Sequence, residues 1–167
     1  YRLVETMTWD KPYHPPRNQR LAAEHYTHAA RVYFMTIRAY RKRSPFVRDD
    51  LNELIIATLC EEQERQMCAV FTYCLMPDHL HFLISPRYDG TCVLTFTNQF
   101  KGKATNRSWT VGWQGKLWQP RFYDHIVRSE EALRLIAEYI LANPVRKNLT
   151  RSKDDWPWSG HMNPLPI

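Results

Sequence analysis

The chain has 167 residues, 44% of them hydrophobic, with Phe 7, Tyr 9 and Trp 6 but only 5 glycines. That composition excludes a disordered or low-complexity polypeptide and allows one compact domain with a real core. Lys and Arg number 23 against 17 Asp and Glu, a formal charge of +6, which is compatible with a polyanionic partner without requiring one.

Residues 1–28, with Pro12, Pro15 and Pro16 among scattered charges, read as a surface arm. Arg31 to Arg38 is β-branched and aromatic and reads as the first strand, followed by the basic cluster Arg38, Arg41, Lys42 and Arg43. Asp49 to Gln66 spaces Leu51, Leu54, Ile55, Thr58 and Leu59 as a helix, opened by Asp49 and Asp50. Strands are expected around 69–75 and 80–85. A second helix is expected from Cys92 to Asn106, turning basic through Lys101, Lys103 and Arg107. Trp118 to Val127 is again strand-like. Ser129 with Glu130 and Glu131 opens a third helix, whose apolar stripe is Leu133, Ile136, Ala137, Ile140 and Leu141 and which Pro144 is expected to end. The order β-α-β-β-α-β plus one helix predicts an α+β fold of the ferredoxin-like split βαβ type. It comprises a four-stranded antiparallel sheet, two backing helices and an extra C-terminal helix on the other face. In the usual order 4-1-3-2 the first and third strands are central.

The four cysteines, Cys60, Cys68, Cys74 and Cys92, form no C-x-x-C pair and read as buried reduced thiols, which points to a cytosolic chain. No apolar run reaches the ~20 residues that span a bilayer, and no signal-peptide core is visible near Tyr1.

The most informative stretch is Pro77-Asp78-His79-Leu80-His81-Phe82, at the start of the third strand. Residues i and i+2 of a strand share a face, so His79 and His81 project together and could hold one divalent cation with an open coordination sphere. Two unrelated histidines at a strand end are the simpler alternative. The second stretch is Glu138 to Arg146. Tyr139 and Asn143, at i and i+4, lie on one helical face. Asn143 can offer a carbonyl oxygen to a hard cation, and Tyr139 a phenol as nucleophile. A phenol pKa near ~10 calls for a base or a polarised phosphate. Here the competing reading is a packed tyrosine with an asparagine at a helix end.

Four segments in order are Arg31–Thr36, Met76–His81, Trp118–Arg128 and Tyr139–Val145, followed by Asp155-Trp156-Pro157-Trp158-Ser159. With them, residues 31–158 resemble the one-tyrosine HUH nucleases, and within these the REP-associated tyrosine transposases. The resemblance implies a nuclease and strand transferase on single-stranded DNA, often next to a hairpin. It implies Mg²⁺ or Mn²⁺ held by His79, His81 and Asn143, and Tyr139 forming a 5′-phosphotyrosine with release of a 3′-hydroxyl. The nuclease domain would span residues 29–148, with 149–167 as a tail. It would act as a monomer in the bacterial cytoplasm, at the nucleoid.

Candidate DNA contacts are Arg38, Arg41, Lys42, Arg43, Lys101, Lys103, Arg107, Arg121, Arg128, Arg146 and Lys147, with Trp113, Trp118 and Phe122 as candidate stacking rings. Asp78 and His125 are candidate outer partners of the metal site, and Tyr123 is the rival nucleophile. A non-transposing host factor that binds hairpin DNA on the same fold is the competing function. A longer replication or conjugation relaxase is a weaker one.

Overall fold

The computed structural model describes residues 22–167. The element order is β1 (Val32–Arg38), α1 (Asp49–Arg65), β2 (Cys68–Met76), β3 (His79–Pro86), α2 (Val93–Ser108), β4 (Tyr123–Val127), α3 (Glu130–Arg146) and β5 (Ser159–His161), with one short 3-10 turn before β1 and three between the later elements. All strand pairs are antiparallel. The order across the sheet is β4-β1-β3-β2-β5, so β1 is flanked on both sides and β3 lies at the centre, as the split βαβ pattern predicts.

The expected four strands are five. Ser159–His161 pairs with Thr72–Cys74 and extends the sheet past β2, so the segment read as a tail is part of the sheet. Its three residues show no apolar alternation, which is why they carry no strand signal. The expected arm 1–28 lies mostly outside the described residues, but its last part is anchored. Tyr26 is fully buried, stacks on Tyr33 and donates to Asp124 at 2.6 Å.

Alternation along the strands builds two cores. Tyr33, Met35 and Ile37 of β1 and Leu80, Phe82 and Ile84 of β3 face α1 and α2, where Leu51, Ile55, Leu59, Phe96 and Phe100 close the layer. The other face carries Val32 of β1 with Phe71, Cys74, Met76 and Leu83, covered by Leu133, Ala137 and Ile140 of α3. A register shift between Val70 and Tyr73 exchanges the faces of β2, so that Cys68 and Val70 share the first core with Leu75, and Phe71 shares the second with Cys74 and Met76.

Ser129 caps α3, its Oγ accepting from the Ala132 N–H at 3.1 Å, as the sequence predicts. Pro144, by contrast, does not end the helix. It is buried in the last turn, and Lys147 still donates to the Asn143 carbonyl. Proline removes one donor, but so close to the helix end the rest of the turn closes around it. The expected strand over 118–127 shortens to Tyr123–Val127. Pro120 lacks an N–H for pairing, Lys101 Nζ holds the Gln119 and Pro120 carbonyls, and Trp118 turns into the core against Phe46 and Phe100. Of the cysteines, Cys68 and Cys74 are buried, their thiols pushed up to about 12 by burial, whereas Cys60 is exposed. Among the described residues no helix is long and apolar enough to cross a membrane.

Candidate active site

Pro77 and Asp78 turn the chain from β2 into β3, so His79 opens a central strand and His81 follows one pleat later on the same face. That face is the one α3 covers. Arg38 pairs with His79 and Thr36 with His81, so the end of β1 is fixed beside both histidines. The imidazoles meet edge to face, with Nε2 of His79 3.0 Å from Nε2 of His81. Their other nitrogens are held from behind. His79 Nδ1 donates to Asp78 Oδ1 at 2.6 Å, and His81 Nδ1 shares a hydrogen bond with Thr36 Oγ1 at 2.8 Å. Burial pushes the His81 pKa well below the ordinary histidine value, and His79 and Arg38 push it further. The hydrogen bond with His79 holds the Asp78 carboxyl below its usual range against partial burial.

Two buried nitrogens facing each other at this spacing suit a shared cation. Ligands about 2.1 Å from one ion and at right angles stand about 3.0 Å apart. Anchoring of the remote nitrogens is what orients metal-binding imidazoles. Among the described residues no three His, Cys, Asp or Glu side chains converge. Asn143 on α3 is buried and lines the pocket, so its carboxamide is one oxygen donor available there beside those of Asp78, Ser44 and Tyr139.

The pocket encloses about 420 Å³ and is lined by both histidines, Asp78, Tyr139 and Asn143, with Arg38 and Lys147 as its cations. Tyr139 lies with its ring 5.9 Å from that of His81 and edge-on to Phe34 at 6.3 Å. The Arg146 guanidinium sits over the same phenol ring, 4.8 Å from its centre.

The remaining candidates divide by position. Arg41, Lys42 and Arg43 are exposed on the loop between Arg38 and Ser44, both of which line the pocket. Arg41 and Lys42 each have φ 55°, a left-handed backbone that costs an L side chain roughly 1–2 kcal/mol, so the loop holds its charges in a strained turn beside the site. Arg121 and Arg128 are exposed at the two ends of β4.

Lys101, Lys103 and Arg107 lie on α2, which covers the opposite face, and all three are engaged. Lys103 pairs with Glu62 at 2.8 Å, Arg107 with Glu61 at 2.5 Å, and Lys101 binds the two carbonyls before β4. Lys103 and Arg107 thus each tie α2 to α1, on the face away from the histidines. Trp118 is core, and Trp113 and Phe122 pack against that core half-buried. His125 is exposed on β4, across β1 from the histidine pair, and does not reach it. Tyr123 stands edge-on to Phe34 at 6.4 Å and outside the pocket lining.

Sequence reasoning missed Thr36, Ser44, Met76 and Leu149 as site residues. None of the four carries a local signal, and Thr36 joins the site through its register with His81.

The curated relatives include a Haemophilus influenzae protein described as a putative REP-associated tyrosine transposase, 28% identical over 140 residues, covering 77% of this chain and 78% of that one. An Escherichia coli K12 REP-associated tyrosine transposase is 24% identical over 129 residues, covering 77% and 74%. A solved structure of a REP-associated tyrosine transposase bound to a REP hairpin superposes with a TM-score of 0.70 at 19% identity. That match covers 80% of this chain and 78% of that one, and it shares the fold. The family model for IS200-like transposases matches residues 27–143, more than two thirds of the chain. The chain belongs to the IS200-like transposase family.

Proposed function

We propose that this chain is a metal-dependent endonuclease and strand transferase on single-stranded DNA, acting beside hairpins, with Tyr139 as its nucleophile. One observation carries the reading. Two buried imidazoles converge on one point at 3.0 Å with their remote nitrogens tied to Asp78 and Thr36, and a phenol stands in the same pocket.

His79, His81 and the Asn143 carboxamide would hold Mg²⁺ or Mn²⁺. When bound, such a cation polarises a phosphoryl oxygen and offsets the charge that builds on it in the transition state. Tyr139 Oη attacks phosphorus and gives up its proton. The bond from phosphorus to the 3′-oxygen breaks, that oxygen leaves as a 3′-hydroxyl, and the 5′-phosphate stays esterified to the tyrosine. Attack by another 3′-hydroxyl on this ester restores the phenol and joins the strands without an external energy source. Arg146, stacked on the ring, fixes the attitude of the phenol, while Arg38, Lys147 and the Arg41–Arg43 turn supply cations for the phosphates on either side. Asp78 orients His79 from outside the ligand set.

The histidines, Asn143 and Tyr139 line one pocket without a partner's residue, which is the arrangement a monomer needs, and the DNA it works on would be that of the bacterial cytoplasm, at the nucleoid. The working unit would be residues 29–148, with 149–167 as a tail whose stretch from Trp156 to Asn163 lies along β2. The hairpin as substrate is supported by the relatives, whose names and bound ligand refer to REP sequences.

The test is cleavage of end-labelled single strands carrying a hairpin. Cleavage that needs Mg²⁺ or Mn²⁺, spares fully duplex DNA and is lost in His81→Ala is the expected result. Tight hairpin binding with no cleavage under any divalent metal would replace the nuclease by the DNA-binding host factor.

A further inference from the structure

Among the described residues, α3 packs over β2 and β3 and covers the same sheet face on β1 and β4 only in part. Register places Phe34 opposite His125 and Thr36 opposite Tyr123, and directly opposed residues of an antiparallel pair share a face. Phe34 and Tyr123 are half-buried and His125 is exposed. Phe34 is the unusual member, an aromatic ring still partly open on a strand paired on both sides. Its centroid lies 5.3 Å from that of His81 and 6.4 Å from that of Tyr123, so a row of rings runs from the histidine pair to the sheet edge. Arg121 and Arg128 are exposed at the ends of the outer strand.

Resting on the nuclease reading above, we propose that Phe34, Tyr123 and His125 form a stacking platform for the first unpaired bases beside the scissile phosphate. The occupant follows from the chemistry of the row. Planar rings flanked by guanidinium groups match alternating bases and phosphates, and stacking on aromatic side chains is how unpaired bases are held without reading their edges. The row starts at His81, so a strand with its phosphate at the pocket continues directly onto it. The Phe34 and Tyr123 ring planes stand 79° apart and those of Phe34 and His81 38° apart, so bases stacked on different rings would be splayed from one another. The platform would therefore act on the strand next to the cut and leave recognition of a hairpin stem to other surfaces.

The experiment compares two fluorescent probes of equal length, an oligothymidylate and an abasic strand with the same phosphates, in binding titrations with the full chain. The wild type should prefer the oligothymidylate. Tyr123→Ala should lose about 5- to 100-fold on that probe, and nothing on the abasic one, while Tyr123→Phe keeps wild-type affinity. His125→Ala changes an exposed side chain and carries the same test without risk to the fold, with a smaller loss confined to the base-bearing probe. Equal losses on both probes, or no loss in either alanine variant, would overturn the platform even with DNA cleavage intact. Failure of the wild type to bind either strand would remove the single-strand reading itself, and the platform with it.

Discussion

Thr36→Val isolates the support behind His81. The substitution keeps the β-branched shape and removes only the hydroxyl that sits 2.8 Å from Nδ1, at a site where threonine is 6% and histidine 7% exposed. Water is excluded there, so the ring nitrogen would be left without its partner at a cost of about 1–3 kcal/mol. At 1.4 kcal/mol per tenfold, that cost corresponds to roughly 5- to 150-fold in any equilibrium that needs the ring in this tautomer and orientation. Loss of such an outer partner ordinarily lowers metal affinity by about 10- to 100-fold, which is the same range. The assay is Mn²⁺ titration by calorimetry on wild type, Thr36→Val and Thr36→Ser, without DNA. The serine variant restores the hydroxyl and should recover most of the affinity. Wild-type Mn²⁺ affinity in Thr36→Val would refute the argument that His81 is a ligand oriented from β1.

Two further predictions concern charges away from the histidines. The Glu62 side chain is fully buried, which by itself raises its pKa, but hydrogen bonds from Arg65 and Lys103 outweigh burial and bring it to about 2. Because the folded value lies below the ordinary 4.5, the stabilisation is present above pH 4.5 and is lost as pH falls through about 2. Arg65 is half-exposed, so we discount the full shift and expect Glu62→Gln to cost about 2 kcal/mol at pH 7 in urea denaturation. The gap to wild type should narrow as pH drops from about 4.5 towards 2. The second prediction separates Arg41 from Arg107. Arg41→Ala should reduce the salt dependence of hairpin binding by about one phosphate contact, whereas Arg107→Ala should leave that slope unchanged and lower stability through the lost Glu61 pair.

What the sequence made legible was whatever rests on local periodicity. The two-residue repeat of a strand put His79 and His81 on one face, and helical spacing put Tyr139 and Asn143 on another. The β-α-β-β-α-β order then brought the two together through a known arrangement of strands. Features set by tertiary context were not legible. β5 is three residues long and exists because β2 has an open edge. Lys103 and Arg107 look like any basic helix face until Glu61 and Glu62 of α1 stand opposite them. Pro144 reads as a stop because the sequence cannot say that only one more turn was needed. Thr36 became a site residue only through its register with His81, forty-five positions away along the chain.

The central claim is tested most directly by incubating the protein with Mn²⁺ and a labelled single strand bearing a hairpin. The reaction is then denatured, and the position of any covalent adduct is mapped by mass spectrometry. The account predicts a phosphodiester on Tyr139, absent with chelator and absent in Tyr139→Phe. An adduct that persists in Tyr139→Phe, or that maps to Tyr123, would contradict it.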